Sequence, residues 1–196
     1  MFVPKGLLLW LLISNIIICI DVTFIFNRPE SLMGGQYEHI YWPYQLYYRF
    51  DKLFDMNHDP FVVIICWMNL VEAAFAFVGI GLCLAADRGK NLAGALICLL
   101  ASVMVFWKTV IFLWYDRDWL INDALNYTYP SILFYYIPNY LWIFFPLCCM
   151  IKIPKNIFQA YMDLIPQKHS KNRSKKWSFY GLVCLRRKEF FGSIFI

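Results

Sequence analysis

The sequence predicts an all-α integral membrane protein: a four-helix bundle with both termini in the cytosol. Three observations lead there. Of the 196 residues, 61% are hydrophobic and only 16% charged, whereas a soluble domain carries about 25% charged residues. The apolar residues collect into four runs, each long enough for the roughly 20 residues that cross a bilayer as a helix. Lys and Arg gather on one side of those runs, which sets the orientation.

The first run covers about 6–26, the second about 61–86, the third about 91–115 and the fourth about 131–151. Run one has the length of a span and contains Asp21. No small-x-small cleavage site follows it, so it reads as a helix rather than as a signal peptide with Lys5 in its basic region. Pro60 and Pro130 stand just before runs two and four, where a helix start tolerates proline. Pro138 and Pro146 lie inside run four and are expected to bend it. No period of 20–50 residues repeats. The membrane domain is therefore 1–158, and 159–196 forms a cytosolic tail mixing basic and aromatic residues. Such a tail suits the anionic leaflet, at about 1 kcal/mol per basic residue.

With the N-terminus in the cytosol, that side holds Lys5, Arg88, Lys90 and the ten Lys and Arg residues after run four. Arg28, Arg49, Lys52 and Arg117 fall on the lumenal side, and Lys108 lies within the membrane. This bias accounts for the net charge of +5, so the charge implies no nucleic-acid partner. Asn126-Tyr127-Thr128 is a glycosylation triplet in the lumenal loop before run four. The seven cysteines lie almost entirely in apolar runs without metal-ligand spacing. They read as small buried hydrophobes, not as a disulfide framework.

Each run carries one polar group that lipid alone tolerates poorly: Asp21, Glu72, Lys108 and Asn139. An ionisable group at the centre of a span costs about 2.5–3.5 kcal/mol on insertion scales, so such groups face a bundle interior. Counted from the lumenal ends at 1.5 Å per residue, Asp21 lies about 8 Å deep, Lys108 about 10 Å, Asn139 about 12 Å and Glu72 about 16 Å. Four helices can bring these depths into one pocket. Glu72 then either pairs with Lys108 as a structural ion pair or lines a ligand cavity. Asn139 either ties down carbonyls freed by the prolines or hydrogen-bonds a ligand. Trp142, one turn beyond Asn139 on the same face, either packs or offers its π-face to a cation.

The lumenal loop 27–60 is rich in Tyr and Trp. Tyr44 to Asp55 reads as a short amphipathic helix over the bundle mouth, at the depth where Tyr and Trp are favoured. His39, His58, Asp51, Asp55 and Asp59 lack the spacing of a metal site. No Gly-rich phosphate loop, Cys-x-x-Cys pair or Ser/His/Asp arrangement stands out, so no cofactor is expected.

The order of these groups resembles a known family. A carboxylate in helix one is followed by an aromatic-acidic loop and by Asn69-Leu-Val-Glu72 in helix two. A polar helix three precedes Asn139-Tyr-Leu-Trp142-Ile-Phe-Phe-Pro146 in helix four. Over about residues 8–158 the chain looks like the EXPERA domain, shared by the emopamil-binding sterol Δ8–Δ7 isomerase and the sigma-2 receptor. The stretch Asp21 to Gly35, with Arg28-Pro29-Glu30-Ser31, looks closer to fungal members than to animal ones. The resemblance implies a four-helix bundle of the endoplasmic reticulum with a pocket for sterols and hydrophobic amines. In an isomerase of this kind an acid protonates the Δ8 double bond, carboxylates and a Trp face stabilise the cation, and a proton leaves C7.

Glu72, Asn139 and Trp142 match isomerase positions. Ile17, four residues before Asp21, stands where the isomerase has His, and Glu72-Ala-Ala-Phe75 replaces its Glu-x-x-Thr. The reading is therefore a sigma-2-like protein that binds a sterol, related lipid or hydrophobic amine through Asp21, Glu72, Lys108, Asn139 and Trp142, with Asp51 or Asp55 contributing. Two alternatives stand beside it. One is an isomerase with Glu72 and Asp21 catalytic and Trp142 facing the cation. The other is a scaffold locked by Glu72 and Lys108, with a protein partner or a second copy.

Overall fold

In the computed structural model the described residues are 2–47, 59–115 and 136–163. Among them the chain is all-helical. Helix α1 covers Lys5–Phe26, the one-turn α2 Tyr44–Tyr47, α3 Pro60–Leu84, α4 Arg88–Tyr115 and α5 Ile137–Asp163. Four of them, all except α2, are long and apolar enough to cross a membrane, as in a multi-pass membrane protein. At 1.5 Å per residue they reach roughly 33–42 Å, more than the roughly 30 Å hydrocarbon core. Residues Met1–Pro154 form one compact unit and Lys155–Ile196 a second.

Local chemistry explains two of the helix starts. Asp59 caps α3: its carboxylate accepts the Phe61 N–H at 2.8 Å, and Pro60 takes the first helical position, where its missing N–H has no intrahelical partner to lose. Helix α4 starts at Arg88, earlier than the apolar run suggested. The Asp87 carboxylate accepts the Lys90 N–H at 2.8 Å, and its carbonyl accepts the Asn91 N–H at 3.0 Å, so the first turn is held although its side chains are polar.

The fourth span lies in a helix that outlasts its apolar run. The apolar run covers about 131–151; α5 begins at Ile137 and continues past it to Asp163, with 131–135 outside the described residues. Hydropathy falls at Lys152 and Lys155, but intrahelical hydrogen bonds do not depend on hydropathy. Pro138 sits in the first turn, and the helix runs on through Pro146 and Pro154.

Within a mostly apolar core the bundle buries its charged pair, and it turns large apolar side chains outward. Trp67 and Trp114 are 61% and 69% exposed, whereas Glu72 is 0% and Lys108 6% exposed. Exposed apolar side chains beside buried charges suit lipid as the solvent. Helix α1 packs on α3, and α3 on α4. Helix α5 closes the ring: Trp10 of α1 stacks on Phe145 at 4.0 Å between centroids and meets Trp142 edge-on at 5.4 Å, while Asn139 and Trp142 share one cavity lining with Lys108 and Phe112 of α4.

At the Leu84–Arg88 end, α3 and α4 touch backbone to backbone. A Cβ on Gly94 would lie 2.6 Å from the Cys83 nitrogen and 2.7 Å from the Gly79 oxygen, so only glycine permits the crossing. Asn91 ties this end together by donating to the Cys83 carbonyl and accepting the Phe2 N–H. At the opposite end the loop after α1 folds back over the helices. The Ser31 hydroxyl donates to the Phe24 carbonyl at 2.7 Å, and Tyr44 stacks on Phe24 at 4.7 Å between centroids. The predicted helix Tyr44 to Asp55 begins as α2; residues 48–58 lie outside the described residues.

Candidate ligand cavity

A cavity of about 390 Å³ lies among the helices, with walls drawn from α1, α3, α4 and α5 and a cover from Pro43, Tyr44 and Tyr47. Its volume falls in the range of roughly 300–1,000 Å³ usual for small-molecule sites. Ile17, Ile18, Ile65 and Phe112 give it an apolar lining. Four candidates named from the sequence border it together: Asp21, Lys108, Asn139 and Trp142.

Each is positioned by its helix. Asp21 lies near the Phe26 end of α1, and its carboxylate accepts a hydrogen bond from the Tyr44 hydroxyl. Burial, reinforced by the neighbouring Asp21 charge, holds the Tyr44 phenol above its ordinary range. Tyr44 therefore remains a proton donor, fastening the loop to α1. Asn139 and Trp142 stand one turn apart on α5, which brings both to the same wall, and Trp10 supports the indole from the side.

Lys108 of α4 is buried at the cavity wall and donates to both Asn69 and Glu72 of α3. Asn69 and Glu72 are three residues apart, so one face of α3 presents both acceptors to one ammonium. Glu72 was expected to line the cavity, and it does not: its carboxylate is fully buried off the lining and engaged by Lys108. The reason is reach. The lysine side chain is long enough to bring its charge across to α3, and a buried carboxylate that meets an ammonium is far less costly than one left alone. The other Glu72 oxygen, Oε1, is buried with no hydrogen-bond partner among the described residues.

Asp51 and Asp55 lie outside the described residues. Among the described residues no three His, Cys, Asp or Glu side chains gather as metal ligands. A second hollow is bordered by Gly35, Glu38, His39 and Trp42 of the loop and by Gln45 of α2.

Sequence reasoning passed over Asn69 and Thr109 as site residues and named Tyr44 only as the start of the amphipathic helix over the bundle mouth. Asn69 carried a usable signal, its three-residue spacing from Glu72. Tyr44 carried none, because nothing local says which of the loop tyrosines reaches Asp21. The arrangement is suited to holding an apolar molecule with one polar end, because polar groups occupy part of an otherwise greasy wall. No protein-family model, no curated protein and no solved structure matches the chain.

Proposed function

We propose that this is a membrane protein of the endoplasmic reticulum, with both termini in the cytosol, that binds a sterol or related lipid inside its helix bundle. The observation that carries this reading is the apolar cavity bordered by Asp21, Lys108, Asn139 and Trp142. The resemblance to the EXPERA domain supports it, since Glu72, Asn139 and Trp142 match positions that in that family imply a sterol pocket. In this reading Trp142 and the isoleucines hold the apolar body, and Asp21, Lys108 and Asn139 receive its polar end.

The geometry favours holding over turnover. Glu72, the acid and base of the isomerase alternative, is off the cavity wall and taken up by Lys108, and Ile17 on that wall offers no proton relay. The scaffold alternative gains the Glu72–Lys108 ion pair but leaves the cavity without a role.

The test is photo-crosslinking of the purified full chain with a sterol probe. Labelling that saturates, maps to α1 or α5 around Asp21 and Trp142, and falls in Trp142→Ala is the expected result. Absence of saturable labelling by any sterol or lipid probe would refute the reading. A strain lacking the Δ8–Δ7 isomerase tests the enzyme alternative: growth with Δ7 sterol formation, lost in Glu72→Gln, would establish catalysis instead.

A further inference from the structure

We propose that the cavity selects a neutral lipophilic alcohol over a lipophilic amine, and that Lys108 is the residue that decides. This rests on the lipid-binding reading above and names the ligand class of that same site.

An ammonium has three N–H donors. Lys108 gives one to Asn69 and one to Glu72; its third has no partner among the described residues, and Lys108 borders the cavity while only 6% exposed. Asp21 borders the same cavity with one carboxylate oxygen taken by Tyr44. The other oxygen is free to accept among the described residues. Asp21 and Lys108 are within electrostatic reach of each other. The cavity thus offers an unused strong donor and an unused strong acceptor.

A hydroxyl answers both. It donates its proton to Asp21 and accepts from Lys108, and it carries no charge that must be stripped of water. An ammonium ligand answers only Asp21. It has no acceptor for the third Lys108 N–H, and it meets a like charge that belongs to the protein. Glu72, which neutralises Lys108, lies off the lining, so the nearer member of the pair, the cation, dominates the field that a ligand meets. Repulsion then offsets the pull of Asp21, while the ligand still loses its hydration. A carboxylate ligand fails in the mirror sense, pairing with Lys108 and meeting Asp21. The built-in cation occupies the electrostatic place that an amine ligand would need.

The experiment uses two photoreactive sterol probes identical except that one carries a hydroxyl and the other a primary amine at the same ring carbon. They compete on the purified full chain at pH 7. The expected result is a preference of tenfold or more for the alcohol in the unmodified protein. Lys108→Arg, which keeps the charge, should retain the preference. Lys108→Met combined with Glu72→Gln removes both charges without leaving one unpaired, and should shift the preference tenfold or more toward the amine, because Asp21 then acts alone. Equal affinity for the two probes, or an amine preference in the unmodified protein, overturns the proposal and leaves lipid binding intact. An unchanged preference in the double variant overturns the role of Lys108. Binding of neither probe removes the lipid-binding reading and this proposal together.

Discussion

Two ends of the same helix pair behave oppositely. Toward Leu84 and Arg88, α3 and α4 meet at Gly79 and Gly94 so closely that a single added Cβ would collide with backbone atoms. Toward Pro60 and Tyr115, the same helices present Ile65 and Asn69 facing Lys108 and Phe112, and a cavity of about 390 Å³ opens beside them. Small residues let two backbones touch, and long polar ones meet through their tips. The lesson is that the closed end supplies rigidity and the open end supplies chemistry, and that one pair of helices does both by changing residue size along its length.

The comparison can be broken most severely at the ion pair. Lys108→Met strands the Glu72 carboxylate in the interior and should destabilise the protein by about 3–5 kcal/mol. Adding Glu72→Gln should restore most of that loss. Thermal unfolding in detergent, read as a double-mutant cycle, checks both. If Lys108→Met alone unfolds no earlier than the parent protein, the pair contributes no stability.

The next effect belongs to the closed end. Gly94→Val should cost about 1–3 kcal/mol by overpacking, yet leave the ligand affinity of the folded fraction unchanged, because Gly94 does not border the cavity. Measuring melting temperature and probe affinity on the same preparation separates the two ends. An affinity loss that tracks the stability loss would show that the ends are not independent.

Within the open end, Trp142→Ala removes a wall of the cavity and should weaken sterol binding on the order of tenfold, about 1.4 kcal/mol. Competition against a labelled sterol reads this directly. The smallest effect is expected at Asp59→Ala, which deletes the α3 cap and should cost about 1 kcal/mol of helix stability. Hydrogen exchange of the Phe61 amide, the proton that Asp59 accepts, is the measurement, and unchanged protection there would deny Asp59 its capping role.

How legible each part was depended on whether its cause is local. Pro60 and the following apolar run marked the start of α3, because a proline and a cap act over one turn. Gly94 stands in plain view in the third run, but only the close approach of α3 shows why it is glycine. The end of the fourth helix was not legible, because an apolar run reports where lipid is favourable, not where hydrogen bonding stops. The sequence left Glu72 between pairing with Lys108 and lining a cavity, because helix rotation is not a local property. The structure makes Lys108 do both and Glu72 only the first. Tyr44 and Trp10 were illegible as site residues, because each matters only through a side chain on another element.

By itself the sequence determined the solvent, the four spans and the polar groups buried within them. A backbone in lipid must satisfy its own hydrogen bonds, and apolar runs of that length leave the helix as the answer. Tertiary structure alone decided that Lys108 engages Asn69 and Glu72 while facing the cavity, and that Tyr44 closes on Asp21. Those pairings depend on how each helix is rotated and shifted against its neighbours. That placement is set by contacts such as Gly79 against Gly94 and Trp10 against Phe145, whose partners lie on different helices and far apart in the chain.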